Sequence, residues 1–168
     1  MKYFKTLFIV LLPLIAYSCN ISESSSDDYI YYNSFESGKD TTGWEGLSSF
    51  LLVKEASPKG GTGSLLIGGG CLQPAGKKEF TIVEEGYYVL ECMGKTKTNG
   101  GSICLTNKPP NDGYENTQRC IQINSIQWAS YISNEVFCEA GSQLLLEIYA
   151  GGFVPSDINI DELKIKKL

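Results

Sequence analysis

The chain has 168 residues, with 14 Lys and Arg against 19 Asp and Glu, a formal net charge of −5 and no histidine. That length fits about one domain with room for a real core. The lack of histidine excludes His-based triads, His general bases and His-containing zinc sites, and the acidic balance with no basic stripe argues against nucleic acid as a partner. Glycine (18) and tyrosine (10) are frequent and helix formers do not cluster, which favours an all-β domain.

Lys2 and Lys5 open the chain, and Leu7 to Ala16 form an apolar run of signal-peptide length, too short to cross a bilayer. Tyr17 and the small Ser18 then precede Cys19. This order resembles a bacterial lipoprotein signal peptide, although the place three before the cysteine holds Ala16 where that family prefers Leu. The resemblance implies residues 1–18 as the signal and Cys19 as an acylated first residue that anchors the chain to a membrane. The rival reading is an ordinary secretory signal cut near Ser18. Residues 20–28 are polar and acidic and cannot bury enough surface to fold, so residues 19–28 read as a flexible tether. The Ser/Asp/Glu run there also resembles the export signal of surface lipoproteins in the Bacteroidetes. It implies an outer-membrane lipoprotein at the cell surface, with the periplasmic face as the alternative. Loss of Lys2 and Lys5 would leave 12 basic residues and a net charge near −7, so the lipid and not the protein surface would hold the membrane.

Residues 29–168 read as one domain. Short apolar runs, punctuated by Gly, Pro and Asn, predict strands at Tyr29–Tyr32, Phe50–Val53, Ser64–Ile67, Phe80–Val83, Tyr87–Met93 and Ile103–Thr106. They continue at Cys120–Ile123, Trp128–Ile132, Val136–Cys138, Leu144–Tyr149 and Ile158–Ile165. No helical period is sustained, so the pattern predicts a β-sandwich. In the last strand Ile158 and Ile160 share one parity, Leu163 and Ile165 the other. If both pairs face the core, a β-bulge sits at Asp161-Glu162 and aims acidic groups sideways at the sandwich edge.

Gly68-Gly69-Gly70 lacks the rest of a phosphate loop, and no Cys-x-x-Cys occurs. Cys104 alternates with Ile103 and Leu105, and Cys120 with Ile121 and Ile123. With the aliphatic residues inward, both sulfurs face outward on neighbouring strands, which predicts a Cys104–Cys120 disulfide. Cys71, Cys92 and Cys138 read as small apolar filler.

Asn33-Ser34-Phe35-Glu36 with Gly43-Trp44, Thr62 to Ile67, Glu84 to Leu90, Gln127 to Tyr131, Glu139-Ala140-Gly141 and Ile158 to Leu163 occur in an order that resembles carbohydrate-binding modules. Those modules have the galactose-binding-like jelly-roll fold. The resemblance covers about residues 29–168. It implies a jelly-roll β-sandwich and a structural calcium at one edge, held by Glu36 and Asp161. Calcium takes several oxygen ligands, and two carboxylates brought together from the chain's ends would otherwise repel.

Sugars stack on aromatic rings and hydrogen-bond at their rims. Tyr114 lies in the polar, turn-rich connection 107–119 with Asn111, Asp112, Asn116 and Gln118, and is the expected stacking ring. Trp44 is a second candidate, though Trp44 and Trp128 also fit packing roles. No Asp/Glu pair stands out as catalytic. The expected function is non-catalytic glycan capture, and the rival is a structural or adhesion module that contacts a protein partner.

Overall fold

The computed structural model describes residues 29–46, 50–58, 60–69, 74–111, 116–151 and 154–168. The signal, Cys19 and the tether lie outside the described residues, as do Cys71, Asp112 and Tyr114.

Among the described residues eleven strands build two antiparallel sheets, and the fold is an all-β jelly-roll sandwich. The seven-stranded sheet contains β1 (Tyr29–Asn33), β2 (Phe50–Val53), β3 (Ser64–Gly69), β5 (Gly86–Lys95), β8 (Ala129–Ile132), β9 (Val136–Cys138) and β11 (Ser156–Lys167). The four-stranded sheet runs β4-β10-β6-β7, from β4 (Gly76–Thr81) through β10 (Gln143–Ala150) and β6 (Gly101–Lys108) to β7 (Thr117–Ile123). Two long strands organise the larger sheet. β11 pairs with β3 through its first half and with β1 through its second. β5 pairs with β9 at its start and with β8 further on.

Alternation of side chains fixes the inner faces. Leu65, Ile67, Leu90, Ile103, Leu105, Leu144, Leu146 and Ile148 are fully buried between the sheets, each worth about 1.5–3 kcal/mol of burial. Ile158, Ile160, Leu163 and Ile165 are also all fully buried. They can be so only because β11 carries an extra residue. Asp161 pairs with Met93 and Lys164 with Glu91, so three steps on β11 match two on β5. Glu162 takes a left-handed backbone, φ 51°. The bulge thus stands at Asp161-Glu162, but its acidic groups are not at an edge. β11 lies inside the sheet, flanked by β3 and β5, and Asp161 is fully buried.

The strand predicted at Phe80–Val83 begins earlier, at Gly76. Lys77, Lys78 and Glu79 hide it from an apolar count, yet β10 pairs with them all. Ile82 is buried beyond the strand end and Val83 is exposed.

Candidate functional site

Glu36 and Asp161 come from opposite ends of the domain and converge on one loop. Thr62 donates its backbone N–H and its hydroxyl to Glu36 Oε2, each at 2.8 Å, and Gly63 N–H donates to Oε1 at 3.2 Å. These bonds, the Thr62 N–H foremost, hold the Glu36 carboxyl below its ordinary pKa. Ser57 N–H donates to Asp161 Oδ2 and Glu162 N–H to Oδ1, both at 2.8 Å. The loop approaches so closely that only glycine fits. A Cβ on Gly60 would stand 2.0 Å from Asp161 Oδ2, and one on Gly61 would stand 2.5 Å from Glu36 Cδ. Phe35, like Glu162, has a positive φ, 56°. Among the described residues no group of three or more His, Cys, Asp or Glu side chains is arranged to hold a metal.

Cys104 and Cys120 are register partners on β6 and β7 and form a disulfide. It lies on the outer side of the four-stranded sheet. Cys120 is exposed, but Cys104 is buried, because β6 is an inner strand between β10 and β7. Cys92 and Cys138 are free thiols buried in the core.

The structure puts Trp44 and Asn111 in different places. Trp44 is half-buried on the β4 side, edge-on to Tyr31 with ring centroids 6.3 Å apart. Its Nε1 donates to the Tyr31 hydroxyl oxygen at 3.1 Å, as does Asn33 Nδ2 at 2.9 Å. Its polar atom and one edge are therefore spent on packing. Trp128 has Lys95 Nζ 4.9 Å from its ring centroid, and Lys95 is ion-paired to Glu55. Asn111 is exposed in the connection after β6.

The feet of that connection, Pro109 and Thr117, line a cleft of about 380 Å³ at the seam between the sheets. Tyr87, Phe137, Asn107, Arg119, Glu135 and Glu139 complete it. The local sequence explains its chemistry. Val136 and Cys138 are fully buried, so β9 alternation turns Glu135, Phe137 and Glu139 to the other face. Phe137 is the register partner of Tyr87. Its carbonyl accepts from Asn107 Nδ2 at 3.0 Å and therefore points away from β5. Residues opposed without sharing hydrogen bonds have the closest side chains, and the two rings meet at 5.2 Å with 58° between planes. Both are well exposed, Tyr87 at 51% and Phe137 at 42%.

Asn107 is 6% exposed, and its Oδ1 has no hydrogen-bond partner. A buried acceptor left unpaired costs about 1–3 kcal/mol, so a ligand that brings a donor is favoured where the Asn107 side chain shifts to bring this solvent-inaccessible oxygen to the cleft. The outer face of the four-stranded sheet differs in this respect. There Gln118 Nε2 donates to Thr106 Oγ1, Thr106 donates to Glu147 Oε2, and Thr81 donates to Gln143 Oε1. That face satisfies itself.

Sequence reading missed Tyr87, Phe137 and Asn107. Glu135-Val136-Phe137-Cys138-Glu139 did carry a signal, an aromatic between two carboxylates on one strand face. The contribution of Tyr87 and the orphaned carbonyl of Asn107 depend on long-range register.

No protein-family model matches the chain, and no curated protein sequence matches it. Solved structures do. The CBM22-1 xylan-binding domain of Paenibacillus barcinonensis Xyn10C aligns at 18% identity and TM-score 0.61, over 83% of this chain and 94% of that one. TmCBM61, solved with β-1,4-galactotriose, aligns at 14% identity and TM-score 0.58, over 85% of this chain and all of that one. The CBM22-1-GH10 modules of Clostridium thermocellum Xyn10B, complexed with xylohexaose, align at 15% identity and TM-score 0.60. This chain, 84% of it matched, spans only 29% of that xylanase chain. At such identities the likeness shows the fold, a jelly roll shared with carbohydrate-binding modules.

Proposed function

We propose that this chain is a non-catalytic glycan-binding domain, and that it captures sugar in the cleft between Tyr87, Phe137 and Asn107. The observation that carries the reading is the exposed pair of rings beside a buried, unpaired carbonyl oxygen. Rings offer an apolar wall to a sugar face. Asn107, Arg119, Glu135 and Glu139 offer acceptors and donors to its hydroxyls. The fold shared with xylan- and galactotriose-binding modules supports the same reading.

The test is calorimetric titration of xylo-, galacto- and gluco-oligosaccharides into the wild type and the Tyr87→Ala/Phe137→Ala variant. Affinity is expected between about micromolar and millimolar, falling at least about tenfold without the rings. Equal binding by both proteins would place the site elsewhere, with Tyr114 and Asn111 of the adjoining connection next in line. No binding by the wild type would favour an adhesion role toward a protein partner.

Two further parts belong to this proposal. Cys19 carries acyl chains that tether the domain to the outer membrane, at the cell surface. Labelled fatty acid should mark the wild type and not Cys19→Ala, and label kept by the variant would rule the anchor out. Calcium is held by Glu36 and Asp161, with backbone carbonyls as the other oxygen source. The fit rests on two carboxylates, one fully buried, that meet adjacent glycines of one loop. Glu36 Oε1 and both Asp161 oxygens accept one N–H each and keep a lone pair for a cation, while Glu36 Oε2 spends both on Thr62. The ion would stiffen that loop and take no part in sugar binding.

A further inference from the structure

The groups around the cleft are unequal in what they ask of a ligand. Asn107 Oδ1 is an acceptor without a partner, and the carboxylates of Glu135 and Glu139 are acceptors only. Among the described residues neither glutamate is ion-paired. Tyr87 and Phe137 are exposed aromatic rings, and the faces of such rings attract cations. Among the described residues Arg119 is the one cation of the lining, and its Nη1 already donates to the Gln118 carbonyl at 3.0 Å. Two carboxylates against one guanidinium leave the lining at a net −1, in a chain that is itself acidic.

We infer that the cleft selects glycans bearing free amines, of the glucosamine type, over neutral and carboxylated ones. This rests on the glycan-binding reading of the same cleft. An ammonium group has three donors and no acceptor, so it satisfies the Asn107 carbonyl and a glutamate together through charge-assisted bonds. A hydroxyl also satisfies Asn107 but gains nothing from the two negative charges. A uronate meets those charges as a like charge and is repelled. The sugar ring's apolar face covers Phe137 between the two glutamates, which an amine without a ring does not do.

The experiment titrates the full-length protein with three β-1,4-linked tetramers, of glucosamine, N-acetylglucosamine and glucose, in mildly acidic buffer where the amine is charged. A tetralysine peptide is the fourth probe. At about 20 mM salt the glucosamine tetramer should bind about tenfold or more tighter than the glucose tetramer, and the advantage should shrink at about 0.5 M salt through screening. Glu135→Gln/Glu139→Gln, checked for an unchanged melting curve, should lose that advantage, so that the glucosamine and glucose tetramers bind it alike. Equal affinity for all three tetramers overturns the amine preference while leaving glycan binding intact. Tetralysine binding as tightly as the glucosamine tetramer overturns it too, since the cleft would then read charge without sugar. Failure of every tetramer to bind overturns both readings.

Discussion

Removing the Cys104–Cys120 disulfide should cost about 3 kcal/mol. The bridge joins residues 16 apart. The chain-entropy relation gives about 10 cal/mol/K for a loop of that length, hence about 3 kcal/mol at 25 °C. Among the described residues β7 pairs only with β6, which makes it an edge strand, so the bridge is its one covalent hold on the sheet. Its own packing remains. Ile121 and Ile123 are buried, at about 1.5–3 kcal/mol each, so the strand should stay docked and the domain should fold. For a domain of about 140 residues, 1 kcal/mol moves Tm by about 3–5 °C. The Cys104→Ala/Cys120→Ala variant should therefore melt about 10 °C below the wild type by calorimetry. Reductant should shift the wild type by a similar amount, since Cys120 is exposed, and should leave the variant unmoved. A variant within about 2 °C of the wild type would refute the entropy argument for this loop.

Calcium should raise Tm by binding the folded state alone, worth about 2.7 kcal/mol at a concentration one hundred times Kd; a melting curve indifferent to both calcium and chelator removes the metal. Without metal, the lowered Glu36 pKa makes its stabilisation present above the unfolded value of about 4.3 and lost as pH falls through the folded one, so Glu36→Gln should flatten the acid limb of an otherwise similar stability profile. Gly60→Ala forces a Cβ into Asp161 and should lower urea stability by about 1–3 kcal/mol; an unchanged midpoint would mean the loop yields freely. Burial pushes the Cys92 thiol up to about 12 and Cys138 up to about 11, so iodoacetamide should spare both in the native protein and label both in denaturant. Because these folded pKa values are raised, the stabilisation is complete below the unfolded value of about 8.5 and is lost as pH climbs toward them.

The strands were legible where burial imposes alternation. Ile103, Leu105, Ile121 and Ile123 set the faces of β6 and β7, and the same parity turned Cys104 toward Cys120. The parity break in β11 showed the bulge, since four aliphatic residues cannot otherwise share one face. It did not show that β11 is an inner strand, because strand order depends on pairings far apart in sequence. For that reason the acid expected at an edge is buried. The 107–119 connection supplies Asn107, Pro109, Thr117 and Arg119 to the cleft, whereas Asn111 is not in its lining. The wall comes from Tyr87 and Phe137, fifty positions apart, which meet only because β9 returns to the start of β5.

The cleft's position follows from how the sandwich closes. β9 has three residues and, among the described residues, pairs on one side only, with β5. Its other edge carries backbone groups that need partners, the general burden of an edge strand. Here a side chain of the opposite sheet meets it, as Asn107 Nδ2 binds the Phe137 carbonyl. An amide has two ends, and using the nitrogen to close the seam leaves the oxygen buried and unpaired. The bond that seals the sandwich thus creates the unmet demand beside the exposed rings. Closure and recognition share one residue, so Asn107 cannot be replaced by an apolar side chain to relieve the oxygen without reopening the edge of β9.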